Sequence, residues 1–189
     1  MDINSLQRQR RLITGTAGFS LLELMIVVGI LGLLVALLTP NFMESVRRGK
    51  LKQAVTELNG GLTVSRMSAM SRNRTVTIKL VGASTSTSGS NVTVTGTSAT
   101  PITVQFTDSK GLPVIPTQVL STDIVQADTI PGVGSPVVSQ VQFNSLGQRI
   151  GGGATVNQLI TLKNFKGLTY SLHVTPAGKT RWCPQATCS

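Results

Sequence analysis

"GFSLLELMIVVGILGLLVALLTP", residues 18–40, places one carboxylate, Glu23, near the start of an otherwise apolar run. Residues 19–38 of that run, 20 in number, would rise about 1.5 Å each as a helix and cover about 30 Å, the thickness of a bilayer's hydrocarbon core. The stretch therefore predicts a membrane-spanning helix with an acid inside it. A carboxylate at that depth costs about 2.5 to 3.5 kcal/mol on insertion scales and usually marks a functional partner.

The flanks set the direction of crossing. Arg8, Arg10 and Arg11 outweigh Asp2 before the run, so the positive-inside bias keeps the N-terminus cytoplasmic and sends residues 41–189 across the membrane. A cleavable secretory signal fits poorly, because the apolar core runs into Leu37, Leu38, Thr39 and Pro40 where small residues in an A-x-A spacing are needed. A plain uncleaved anchor fits everything except Glu23. The formal net charge is +10, and it is concentrated just past the span, where residues 44–79 hold eight Lys or Arg against Glu44 and Glu57. Among these, Arg47, Arg48, Lys50 and Lys52 are placed to meet anionic lipid headgroups.

Beyond Pro40, which lacks an N–H and is expected to bend or interrupt the helix, an amphipathic pattern resumes. Leu51, Val55, Leu58, Leu62 and Ala69 form an apolar stripe with the basic residues largely off it. Gly60 and Gly61 predict a kink or local unwinding. From Thr75 the period changes to two. Val76, Ile78 and Leu80, then Val92 and Val94, then Ile102, Val104 and Phe106 read as strands. Further strands are expected over 119–126, 137–143, 156–163 and 168–175, with turns at 108–111, 144–147 and 176–179. Residues 82–101, small and polar, read as a long flexible hairpin or loop, and residues 130–136 as a second irregular connection. Few aromatics, 4% of the chain, with many Thr, Ser, Val and Gly, describe a β-rich domain rather than a disordered tail.

Enzyme signatures are lacking. The chain has one histidine, no phosphate-binding Gly-x-x-x-x-Gly-Lys loop and no paired metal ligands, and Asp108, Asp123 and Asp128 fall in expected turns and loops. His173 alternates with Leu172 and Val174 and reads as an ordinary, partly exposed strand residue. Cys183 and Cys188 lie in the exported part, where a small disulfide loop is the expectation and two unpaired thiols in a frayed tail the alternative; zinc would need more ligands than these two and His173. No cofactor, metal or catalytic residue is expected.

The motif Gly18-Phe19-Ser20-Leu21-Leu22-Glu23, with its basic leader and the apolar run behind it, resembles the processing site of type IV pilins and of the pseudopilins of type II secretion. That resemblance implies a dedicated prepilin peptidase, which cuts after Gly18 and methylates the new N-terminal residue, Phe19. The freed α-amino group, with a reference pKa of about 7.7 to 8.0, gives Glu23 a cation to pair with. Positions 19 and 23 share a helical face, and the family implies that the amine of a neighbouring subunit is the partner. Either charge alone in an apolar core is costly, and the pair is much less so.

The order of one long helix followed by β structure resembles the GspH/FimT group of minor pilins and pseudopilins. Supporting residues are Val141-Gln142-Phe143-Asn144-Ser145-Leu146-Gly147, the strand pair within 155–175, and Gly178-Lys179-Thr180-Arg181. The implied fold class is α+β and pilin-like, a long N-terminal helix packed on a C-terminal antiparallel β domain. The implied organisation is a leader over 1–18, a transmembrane and filament-core helix over 19–40, an amphipathic helix over 41–74 and a periplasmic β-rich domain over 75–189. Other pilins or pseudopilins, the prepilin peptidase and inner-membrane lipid are the implied partners, with assembly from the bacterial inner membrane into a pilus or pseudopilus. Competence-linked members of the group carry Gly-Arg-x-Arg near the end, where this chain has Lys179 in place of the first arginine; lysine keeps the charge and loses the bidentate fork. Lys163, Lys166, Lys179 and Arg181, with Trp182 for stacking, are the candidate contacts to DNA, a solvated basic surface with Trp182 tucked away being the alternative.

Overall fold

A computed structural model describes residues 18–131, 139–151 and 156–186, and the backbone alone of residues 37–41. The chain divides into two units, Met1–Met43 and Glu44–Ser189. Helix α1 (Leu21–Arg72) enters both. It is unbroken at Pro40 and through Gly60 and Gly61, so the interruption expected at the proline and the unwinding expected at the glycine pair do not occur. Gly61 has another cause: a Cβ there would lie 2.7 Å from Cζ of Phe106, so the missing side chain lets the ring seat against the helix.

Eleven strands follow the helix: β1 (Val76–Val81), β2 (Ser84–Ser88), β3 (Asn91–Thr95), β4 (Thr103–Asp108), β5 (Pro113–Val119), β6 (Ile124–Ile130), β7 (Gln140–Phe143), β8 (Arg149–Ile150), β9 (Gln158–Asn164), β10 (Thr169–Val174) and β11 (Thr180–Cys183). They form two sheets, ordered β5-β4-β1-β7-β8 and β11-β10-β9-β6-β3-β2. Every pairing among the described residues is antiparallel. The fold is therefore α+β, a long N-terminal helix whose second half packs on antiparallel sheets.

One hydrophobic core joins these parts. The helical stripe Leu51, Val55, Leu58, Leu62 and Ala69 is buried as its spacing predicts, together with Ala54. From the first sheet come Val76, Ile78, Leu80, Val104, Phe106, Val141 and Phe143, and from the second Val94, Ile124, Ala127, Ile160, Leu162, Leu172 and Val174. The alternation along β1, β3, β4 and β7 is what a sheet with one covered face requires. Ile78, for example, lies opposite Phe106 on one side and Val141 on the other.

Some strand boundaries differ from the expected ones. Residues 119–126 are not one strand: β5 ends at Val119, a turn closed by Ile124 N–H to the Ser121 carbonyl at 2.9 Å intervenes, and β6 begins at Ile124. Residues 82–95 do form a hairpin, and its first arm, β2, pairs fully with β3 despite being exposed at every position. Residues 132–138, which include most of the second irregular connection, lie outside the described residues.

Four hairpins are closed by one scheme. In 108–112, 144–148, 164–168 and 175–179, the first residue (Asp108, Asn144, Asn164 or Thr175) donates its backbone N–H to the carbonyl of the fifth and accepts the N–H of the fourth on its own carbonyl. The fourth is always glycine at positive φ, between 73° and 82°. The side-chain oxygen of the first residue accepts the N–H of the fifth in all four turns. This is a type I turn completed by a glycine bulge, and it needs an Asx or Thr acceptor at the start and a left-handed residue at the end. The helix stops by related means: Asn73 adopts φ 50°, with Arg74 N–H on the Ala69 carbonyl and Asn73 N–H on that of Met70, a Schellman closure with asparagine in the glycine position.

Asp108 is the charged member of the turn set and is buried. The N–H of Leu112 chiefly, with that of Lys110 and the Arg74 guanidinium at 3.3 Å, holds its carboxyl below the usual carboxylate range against the opposing effect of burial. A depressed folded-state pKa gives stability that is present above the unfolded value, about 3.9, and is lost as pH falls through the folded one. The urea midpoint of the full chain in detergent, followed by Trp182 fluorescence, should therefore hold down to about pH 5 and fall below about pH 4. Asp108→Asn keeps the turn acceptor without the titration and should flatten that fall; an identical acid slope in the variant would remove Asp108 from the explanation.

Candidate functional site

The helix start is defined by Ser20, whose carbonyl accepts the N–H of Leu24 at 3.1 Å. Leu21 is thus the first helical residue, and Glu23 occupies the third position in a Ser-x-x-Glu pattern typical of a capped N-terminus. Phe19 lies before the cap, so the shared helical face expected of positions 19 and 23 is not formed. A carboxylate in the first turn gains about 0.3 to 1 kcal/mol from the helix dipole at the surface, and up to about 2 when partly buried. That falls short of the penalty for immersing it in hydrocarbon, so capping alone does not account for Glu23 in an apolar setting.

Every described side chain over residues 18–36 is exposed. Thirteen of them, from Phe19 to Val35, are large and hydrophobic, and Phe19, Leu21, Leu22 and Leu24 lie 58% to 78% open. At about 1.5 kcal/mol or more each, covering them is worth on the order of 20 kcal/mol. A helix apolar all round belongs inside something. Among the described residues no helix is long and apolar enough to cross a membrane; the side chains of residues 37–41, which end the sequence's apolar run, are outside that set.

The basic residues separate into two groups. Arg47 sits over the Phe165 ring at 5.0 Å, and Lys166 lies 5.8 Å from the same ring. Lys163 is opposite Thr169 at the neighbouring ends of β9 and β10. At the other end of β10, Arg181 is opposite His173, which is half-buried, and Lys179 closes the β10–β11 turn. Gly178 of that turn packs beside Arg66. Arg47 and Arg66 are 19 residues apart on α1, about 28 Å of helix. The turns that carry Lys166 and Lys179 therefore lie at opposite ends of β10, while Lys163 and Arg181 stand on one face of the sheet, two strands and four positions apart. Trp182 alternates with Arg181 on β11 and points the other way: it is opposite Leu172, packs against the core, and lies 5.9 Å from the Tyr170 ring.

Of the basic residues just past the apolar run, Arg48 pairs with Glu44 at 2.5 Å and Lys50 with Asp123 at 2.8 Å. Cys183 ends β11; Cys188 lies outside the described residues, as does the leader except for Gly18. No group of three or more His, Cys, Asp or Glu able to hold a metal ion occurs among the described residues. Two features had readable signals of another kind: Ser20 and Glu23 as a capping pattern, and Asn164-x-x-Gly167 as a turn that displays Phe165.

No protein-family model matches the chain, and neither does any curated protein. Among solved structures it is similar to the type IV minor pilin FimU of Pseudomonas aeruginosa in two crystal forms. In one, the match has 16% identity over 72% of this chain and 90% of that chain, with a TM-score of 0.44. In the other it has 16% identity over 71% and 93%, with a TM-score of 0.43.

Proposed function

We propose that this chain is a minor pilin or pseudopilin subunit, a structural protein rather than an enzyme. It is held first in the bacterial inner membrane with its domain in the periplasm and a Cys183–Cys188 disulfide. It then assembles through its N-terminal helix into a type IV pilus or a type II secretion pseudopilus, at initiation or at the tip. The observation that carries this reading is the helix over residues 21–36, apolar apart from one carboxylate, Glu23, in its first turn and exposed at every side chain. A bilayer covers such a helix, and so does a bundle of identical helices. Only the second use calls for a buried acid that meets a cation on a neighbour. The alternative, DNA uptake through Lys163, Lys166, Lys179, Arg181 and Trp182, has less to support it, since Lys166 and Lys179 stand at opposite ends of β10 and Trp182 packs against the core.

The mass of the mature N-terminus tests the proposal. Expected is a species that starts at N-methylated Phe19 and lacks residues 1–18. A full-length, unmethylated chain in a cell that carries the peptidase would mark a plain membrane anchor and overturn the assembly reading.

A further inference from the structure

The turn Asn164-Phe165-Lys166-Gly167 contains more than its hairpin requires. Asn164 and Gly167 supply the acceptor and the left-handed residue, and the two tip positions are unconstrained by the scheme. In the sibling turns those tips are Ser109-Lys110, Ser145-Leu146 and Pro176-Ala177. Here they are an aromatic ring and a lysine, and the ring stays 51% exposed. Arg47 from the helix and Lys166 from the turn flank it at cation–π distance. Arg48 lines a cleft with Gly167, Thr169 and Tyr170 beside the same turn, and Lys163 is exposed next to it. Two cations thus flank one open aromatic, with Lys163 and Arg48 beside the same turn and Glu44 paired to Arg48.

We propose that this surface, made of Phe165, Arg47, Arg48, Lys163 and Lys166, docks on anionic lipid headgroups while the subunit waits in the membrane. The inference rests on the membrane reading above. An exposed phenylalanine ringed by Arg and Lys suits a bilayer interface, where the ring enters the acyl boundary and the cations meet phosphate. The tether is short. Arg47 lies nine residues beyond Leu38, the end of the apolar run, which is no more than about 32 Å even at full extension. The patch therefore stays within reach of the headgroups. Two lysines that composition alone would give to a nucleic-acid surface are thereby assigned to lipid.

The test uses the full chain with photoreactive p-benzoylphenylalanine in place of Phe165, inserted into vesicles of phosphatidylcholine mixed with phosphatidylglycerol. Resistance to alkaline extraction scores insertion independently. Illumination should give lipid adducts at position 165. Their yield should fall about fivefold for each of Lys163→Ala and Lys166→Ala, and fall likewise in phosphatidylcholine alone or at high salt. An inserted chain that yields no lipid adduct, or yields adducts to protein or to duplex DNA supplied in the mixture, overturns the docking surface and leaves the membrane reading standing. A chain that fails to resist extraction overturns both.

Discussion

Glu23→Ala should leave membrane insertion and cleavage after Gly18 intact, and should lower incorporation into filaments about tenfold or more. The substitution removes a charge from an apolar helix, so insertion becomes easier by about 2.5 to 3.5 kcal/mol. On the proposed pairing, what it strands is the α-amino group of Phe19 in the neighbouring subunit. Breaking a buried pair by deleting one partner costs about 3 to 5 kcal/mol, but an amine with a reference pKa near 8 has an escape. Near neutral pH it can shed its proton for about 1 kcal/mol, and the remaining loss is the pair's own attraction and the register it sets. This gives the variant a signature that a packing defect lacks. Raising the pH to about 9 should partly restore co-assembly of Glu23→Ala from detergent-solubilised subunits, because the amine is then neutral at no cost. The native pair should gain nothing from that change. The ratio of chain in sheared filaments to chain in membranes is the readout. Glu23→Ala present in filaments at the native ratio would show that the acid has no assembly role.

The parts legible in the sequence are those whose cause is local. The stripe through Leu51, Val55, Leu58 and Leu62 announces its buried face by spacing alone, and Asx-x-x-Gly marks a turn because the acceptor and the left-handed residue are both within four positions. The edges were not legible. β5 carries Pro113 and Pro116, which an edge strand tolerates because half of its N–H groups need no partner, so its composition argues against a strand. β2 is Ser and Thr throughout, exposed at each position, and has no alternation to detect. Gly61 reads as a helix weakness until Phe106, 45 residues on, is found against it. The grouping of the basic residues was not legible for a similar reason: the count of cations is a property of composition, whereas their grouping follows from strand register. Lys163 and Lys166 stand at one end of the β9–β10 pair and Lys179 and Arg181 at the other. Glu23 was legible as an anomaly, and its explanation needs a partner that this chain alone does not supply.

Gly178→Ala should destabilise the domain by about 2 to 5 kcal/mol, which makes Gly178 in Gly178-Lys179-Thr180-Arg181 a structural requirement independent of any ligand. Gly178 has φ 76°, and a β-carbon there would overlap the Gly147 carbonyl oxygen and lie 2.9 Å from Nε of Arg66. That carbonyl already accepts a hydrogen bond from Arg66 Nε at 2.9 Å, and Arg149 N–H donates to the Pro176 carbonyl at 3.0 Å. One turn from each sheet therefore meets against the helix at a single point, and the atom met first is backbone, which cannot swing aside as a side chain can. The left-handed conformation alone costs an L-residue about 1 to 2 kcal/mol, and forced displacement of packed groups adds about 1 to 3. Gly89 separates the two contributions: its φ is 59° and a β-carbon there meets nothing within 4 Å, so Gly89→Ala should show the conformational part only. For a domain of this size the melting temperature should drop about 10 °C for Gly178→Ala and about 4 °C for Gly89→Ala. The exposed neighbours Lys179→Ala and Arg181→Ala should stay within about 0.5 kcal/mol of the native chain. Equal losses at Gly178 and Gly89 would mean that the contact between the two turns relaxes without resistance, and that the glycine is kept at this place for its backbone angle alone.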